Sequence, residues 1–187
     1  MSASSWPFPA PVDDGAAAHL TAGIRLPPLA LPATTGADIT LSEQAGRAVV
    51  FIYPWTGRPG WPDPPGWDDI PGAHGSTPQA QGFAALYRQY AAASVAVFGL
   101  SSQDKAWQSE LADRLQLPFP LLSDAGLAFA RTLSLPTFRA GNEVFLKRLT
   151  LILEDGVIAS SIYPVHPPHT HASEVFKALT GADPVPA

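Results

Sequence analysis

Residues 48–55 read Ala-Val-Val-Phe-Ile-Tyr-Pro-Trp. From Ala48 to Tyr53 the run is apolar, β-branched and aromatic, with no polar alternation. A strand with one wet face alternates in polarity, so an unbroken run predicts a strand covered on both faces of a sheet. Ser94 to Leu100, SVAVFGL, is a second strand of this kind. Between them, Phe83, Leu86, Tyr87 and Tyr90 recur at spacings of three and four, which predicts a helix over 77–92 with one apolar stripe. Pro78 sets that helix's start near Gly75 to Thr77, because proline is tolerated only in the first turn, where its missing N–H has no intrahelical duty.

Further along, Trp107, Leu111 and Leu115 mark one face of a helix over 104–116, with Pro118 beyond its end. Phe119 to Leu122 reads as a short strand, and Asp124 as the cap of a helix running to about Leu133. Val144 to Leu153, the turn Glu154-Asp155-Gly156 and Val157 to Tyr163 form a hairpin, with Arg148 in the middle of its first strand. A last helix carries Val175, Phe176 and Leu179 and is closed by Gly181. Short extended pieces at Leu29–Leu31 and Ile39–Leu41 precede the first long strand, separated by a turn at 35–38. Strands alternating with helices, followed by a hairpin, predict an α/β fold with a mixed central sheet flanked by helices, compatible with a thioredoxin-like fold.

The 187-residue chain favours one large core. Residues 1–25, rich in Pro, Ala and Ser, read as an irregular arm held down by Trp6, Phe8 and Leu20; 26–181 is the domain and 182–187 a tail. A net charge of -5 without a Lys/Arg cluster argues against nucleic acid as a partner. No apolar run approaches the roughly 20 residues that span a bilayer. The start MSASSWPFPAPVDD lacks the features of a secretory signal, so the expected location is the cytoplasm, with no membrane partner. The chain contains no cysteine, which excludes disulfides, thiolate metal sites and thiol catalysis as it stands.

Two residues stand out chemically. Ser76 falls at a helix N-terminus, where unpaired N–H groups and the positive end of the dipole favour an anion. Arg148 sits in Lys147-Arg148-Leu149-Thr150-Leu151, facing either solvent or a pocket. The ordinary readings are a capping serine and an exposed strand arginine. A Ser–His–Asp hydrolase using His74, His166, His169 or His171 is disfavoured, since Gly75-Ser76-Thr77-Pro78 is not a G-x-S-x-G elbow. The histidines of His166-Pro-Pro-His169-Thr-His171 lack a helical ligand spacing and read as solvated, so neither a metal nor another cofactor is expected. Residues 55–74, WTGRPGWPDPPGWDDIPGAH, hold three tryptophans and five prolines in 20 residues. An ordered loop of that length predicts a packed lid or a partner surface.

Three stretches carry a family resemblance: Tyr53-Pro54-Trp55-Thr56-Gly57-Arg58-Pro59-Gly60, then Pro65 to Ala73, then Gly75-x-Thr77-Pro78-Gln79. With Lys147-Arg148-Leu149-Thr150-Leu151-Ile152, Asp155-Gly156 and Tyr163-Pro164-Val165 in the second half, the chain resembles the Q-type (bacterioferritin comigratory protein-like) peroxiredoxins over about residues 25–180. The resemblance implies a thioredoxin-like fold with an extended loop before the active-site helix. It implies a peroxide substrate, an external thiol reductant (thioredoxin, glutaredoxin or glutathione) and a monomer or weak homodimer. It puts a peroxidatic cysteine where Ser76 stands, makes Arg148 the arginine that stabilises its thiolate, and places Pro54, Thr56, Gly75 and Thr77 around the peroxide.

Three departures qualify it. Ser76 replaces the reactive cysteine, Gln81 stands where many relatives keep a resolving cysteine, and Ala73 stands where a threonine is usual, with Thr56 as a candidate substitute for that hydroxyl. A serine hydroxyl has neither a thiolate nor a sulfenic stage, so peroxide reduction by this sequence is expected to be negligible. Two readings follow: a one-cysteine peroxiredoxin in which Cys was exchanged for Ser, or a natural serine on a fold kept as a binding or scaffold module. The near-isosteric exchange amid an intact motif favours the first.

Overall fold

The computed structural model describes residues 6–185; residues 1–5 of the expected arm and 186–187 of the expected tail lie outside the described residues. In chain order the elements are β1 (Ala30–Leu31), β2 (Ile39–Thr40), β3 (Arg47–Ile52), α1 (Ser76–Ala92), β4 (Val95–Ser101), α2 (Lys105–Leu115) and β5 (Leu121–Ser123). There follow α3 (Ala128–Thr132), β6 (Thr137–Ala140), β7 (Glu143–Leu146), β8 (Leu149–Glu154), β9 (Val157–Ile162) and α4 (His171–Thr180). The central sheet has the order β5-β4-β3-β8-β9. β3 runs parallel to β4 and antiparallel to β8, so the sheet is mixed, as the alternation and the hairpin predict.

The unbroken apolar run of β3 is explained by its two covers. Ala48, Val50 and Ile52 point into one core with Leu20 of the arm, Leu26 just beyond it and Phe129 of α3. Val49, Phe51 and Tyr53 point into the other, with Phe83 and Tyr90 of α1, Leu111 of α2 and Val175 and Phe176 of α4. All six side chains are buried, so each strand position removes apolar surface from water on one face or the other. The ring of Phe51 stacks on Phe83 with centroids 4.5 Å apart, which fixes α1 against the middle of the sheet. Gly99 of β4 is needed there, since a Cβ at that position would lie 2.5 Å from Leu121 Cδ2 and 2.9 Å from the Phe51 ring.

The structure departs from the sequence expectation at the second half. The strand read from Val144 to Leu153 is two strands, β7 and β8, and Arg148 lies in the break between them rather than mid-strand. β7 leaves the central sheet and pairs with β6, an element absent from the sequence reading. The break matters because it frees Arg148 from strand pairing and turns it inward. Asp124 caps the short helix α3 as expected, its two carboxylate oxygens accepting from the N–H groups of Phe129 and Ala130 at 3.0 and 2.8 Å. Among the described residues no helix is long and apolar enough to cross a membrane.

Candidate active site

β3 ends at Ile52, and the chain returns to α1 through the long loop that begins at Pro54. Its last step is Gly75, held at φ 108°. A side chain there is excluded twice over. The φ value is one that L-residues rarely adopt, and a Cβ would stand 2.1 Å from Pro168 Cγ and 2.8 Å from the Trp6 ring. Ser76 opens the helix directly after it, only 2 % exposed. Gln79 N–H closes the first turn onto Gly75 O at 3.0 Å, and Pro78 has no N–H to satisfy. The N–H groups of Ser76 and Thr77 have no acceptor within the helix and form its positive end.

Arg148 comes to this helix end from the far side. One guanidinium nitrogen, Nη2, donates to Ser76 Oγ at 3.0 Å and to the carbonyls of His74 at 3.1 Å and Ala73 at 3.3 Å. The other, Nη1, donates to Gln79 Oε1. Arg148 is buried, and every one of these partners is neutral. Burial away from any carboxylate pushes its guanidinium down to about 9. The site is thus a buried cation and a helix N-terminus converging on one small hydroxyl, an arrangement that stabilises negative charge on the atom at position 76.

A cavity of about 290 Å³ opens onto Ser76, walled by Trp6, Phe8, Trp55, Trp67 and His74. The arm supplies part of this wall. Phe8 stacks on His74 with centroids 3.7 Å apart, Trp6 stacks on His169 at 5.4 Å, and Gly72 N–H donates to Pro9 O at 3.1 Å. Gly75 and Thr77 line the cavity. Pro54 and Thr56 do not. Pro54 lies at the end of the central sheet, its carbonyl accepting from Ser101 Oγ at 3.3 Å. The Thr56 hydroxyl donates to Gln103 Oε1 at 3.0 Å, and its carbonyl accepts from the Trp107 indole at 2.7 Å. Thr56 is therefore committed to α2, while the buried side chain at the threonine position is the methyl of Ala73.

Several site residues carried no role in the sequence reading. Gln79 is buried beneath Ser76 and orients Arg148; its place three residues into the helix, on Ser76's own face, was the available signal. His171 is another. It belonged to a cluster read as solvated, and His166 and His169 are indeed exposed, but His171 is buried and hydrogen-bonded through Nε2 to Thr150 Oγ1 at 2.8 Å. Burial, with the nearby charge of Arg148, lowers its imidazole to about 4. Among the described residues the grouping with metal-ligand chemistry is Asp63, Asp68 and His74, whose ligand atoms lie within 4.8 Å of one another at the cavity rim. Both carboxylates are exposed, and His74 is already paired with Asp68 at 2.7 Å.

The chain is similar to known proteins over most of its length. Residues 21–179 match the family model Redoxin. The peroxiredoxin Q, chloroplastic, of Sedum lineare is 29% identical over 164 residues, 87% of this chain and 79% of that protein. The peroxiredoxin Q, chloroplastic, of Oryza sativa subsp. japonica is also 29% identical, over 84% of this chain and 65% of its own length. Among solved structures, peroxidoxin BcpB from Mycobacterium tuberculosis superposes with a TM-score of 0.69 at 23% identity, covering 87% of this chain and 98% of that one. A cysteine-to-serine mutant of Xylella fastidiosa PrxQ superposes with a TM-score of 0.70 at 20% identity, covering 87% and 97%.

Proposed function

Because the chain belongs to the redoxin family, we propose that it is a thiol-peroxidase scaffold whose reacting position is residue 76, inert while that residue is serine. The observation that carries this reading is the 3.0 Å contact between Arg148 Nη2 and Ser76 Oγ at the N-terminus of α1. With cysteine at 76, the same cation and helix end would lower the thiol's pKa and hold a thiolate at the cavity floor. The thiolate attacks the terminal oxygen of a hydroperoxide, the O–O bond breaks, and the leaving alkoxide takes a proton, while sulfur keeps the oxygen as a sulfenic acid. Arg148 and the N–H groups of Ser76 and Thr77 stabilise charge on the oxygens as that bond breaks. Because Gln81 stands one turn further along the helix, the sulfenic acid has to be reduced by two external thiol groups. The first condenses with it to a mixed disulfide and releases water; the second attacks that disulfide, leaving with the first as a disulfide and restoring the thiol at 76.

The experiment is Ser76→Cys, assayed for loss of hydrogen peroxide and an organic hydroperoxide with a thioredoxin system, with glutaredoxin and with glutathione. Turnover with one of these reductants and none for the serine form is the expected result. A Ser76→Cys protein that is folded yet reacts with no peroxide defeats the reading.

One observation favours the second reading, a naturally cysteine-free module. The exchange of one cysteine does not account for Ala73, and Thr56 does not supply the missing hydroxyl because Gln103 holds it. Two departures around one atom fit a site that drifted as a unit. The codon for residue 76 in the gene decides between them: a serine codon supports the natural module, a cysteine codon ends it.

A further inference from the structure

The Trp- and Pro-rich loop has a second face, turned away from Ser76. There a cleft of about 720 Å³ lies between the loop, the start of α2 and the β6–β7 hairpin. Its volume is in the range of small-molecule sites. Trp55 is the wall it shares with the cavity at Ser76, and neither Ser76 nor Arg148 reaches it. We propose that this cleft binds a small organic ammonium ion.

The lining combines indoles and carboxylates. Trp61, 59% exposed, meets Trp107 edge to face with centroids 5.6 Å apart, and Trp107 leans on Trp55 at 5.9 Å. Asp104 and Glu143 bring the only charges in the lining, and both are negative. Among the described residues neither forms an ion pair. Asp104 uses Oδ1 to cap α2, accepting from Trp107 N–H at 2.7 Å, which fixes the carboxylate at the cleft's edge. Neither neighbouring cation belongs to the lining: Lys105 donates to Gly36 O at 3.0 Å, and Arg139 to the Asn142 carbonyl at 3.2 Å.

The molecule already shows the pairing that such a ligand would make. The guanidinium of Arg58 sits 4.3 Å from the Trp107 ring centre, with Glu110 at 3.6 Å completing its charge balance. An indole face and a carboxylate thus hold a cation in the same tryptophan cluster. Arg58 takes that face of Trp107, and the cleft offers Trp61 and Trp55 beside Asp104 and Glu143 with no cationic side chain in its lining. The selectivity follows from charge. A neutral ligand gains nothing from Asp104 and Glu143, an anion would be repelled, and an ammonium is attracted to these acids while its methyl or methylene groups lie against the indoles. This inference stands apart from the reading of Ser76, since the cleft is complete whether residue 76 is serine or cysteine.

The test follows the indole N–H resonances of Trp61 and Trp107 in the ¹⁵N-labelled protein while choline is added, beside its neutral isostere 3,3-dimethylbutan-1-ol. Choline is expected to saturate, and the isostere to bind at least about tenfold more weakly, equivalent to ~1.4 kcal/mol. The double variant Asp104→Asn, Glu143→Gln is expected to lose about tenfold in choline affinity and to leave the isostere unaffected, asparagine being as good a helix cap as aspartate. Equal binding of the two probes, an undiminished affinity in the double variant, or no saturable shift by about 50 mM choline overturns the proposal.

Discussion

At the level of single residues, the site turns on how few polar atoms surround position 76. Arg148 supplies the charge, Gln79 orients it, and the place from which a threonine hydroxyl would come is the buried methyl of Ala73. One lost oxyanion-type donor costs an enzyme roughly 10²–10³ in rate. Adding Ala73→Thr to Ser76→Cys is therefore expected to raise the peroxide rate constant at least about tenfold over Ser76→Cys alone. Stopped-flow loss of peroxide measures it, and no gain in a folded double variant sinks the role given to Ala73.

His171 makes a second residue-level prediction. In the folded protein it stays neutral down to about 4, because burial and the Arg148 charge oppose its protonation, whereas the unfolded chain protonates it near 6.5. The unfolded state therefore binds the extra proton across that interval, and stability present above pH 6.5 falls as the pH drops through it. The loss amounts to about 3 kcal/mol by pH 4. Urea midpoints at pH 7 and pH 4.5 are expected to differ in the parent and to draw together in His171→Gln. A parent midpoint flat across that range contradicts the assignment.

At the level of elements, β3, β4 and α1 were legible because their signals are local. An unbroken apolar run marks a doubly covered strand, and a three-four stripe marks a helix with one buried side. The chain's second half was less legible. Between Val144 and Leu153 the apolar residues are interrupted by the charged pair Lys147-Arg148, which reads as easily as an exposed stretch of one strand as a break between two. The three-dimensional pairing of β7 with β6 reveals the break at which Arg148 turns inward. β6 itself is four residues long with a mixed burial pattern, too short to give a period. Arg148 stands out as a candidate in the sequence and takes its role from the family resemblance; the break comes from the structure. Asp124 is the element-level test. Its buried carboxylate is the only polar group satisfying the N–H groups of Phe129 and Ala130 among the described residues, so Asp124→Ala strands both and is expected to cost about 2 kcal/mol in urea denaturation. A loss below about 0.5 kcal/mol, the range of ordinary surface changes, contradicts the capping role.

At the level of the whole molecule, the arm is part of the site as well as of the core. Ala17 and Leu20 seal one face of the sheet, while Trp6, Phe8 and Pro9 cross the opening above Ser76. Deleting residues 1–12 leaves the sheet's cover intact and removes the cavity's outer wall. In a Ser76→Cys background the truncated protein is expected to react with a thiol reagent at least about tenfold faster than the full chain, each ~1.4 kcal/mol of opening energy removed being a factor of ten. An unchanged rate means that the arm does not govern access.

The arrangement of the tryptophans also has an optical consequence. Trp61, Trp107, Trp55 and Trp67 form a file with successive centroids 5.6, 5.9 and 5.5 Å apart, close enough for excitation to migrate along it. It runs from an indole mostly in water to one that is 3% exposed. Trp6 stands apart, on His169 at the mouth of the cavity. The intrinsic emission is thus two reporters in one spectrum, and replacing Trp6 with phenylalanine separates the colour of the loop from the movement of the arm.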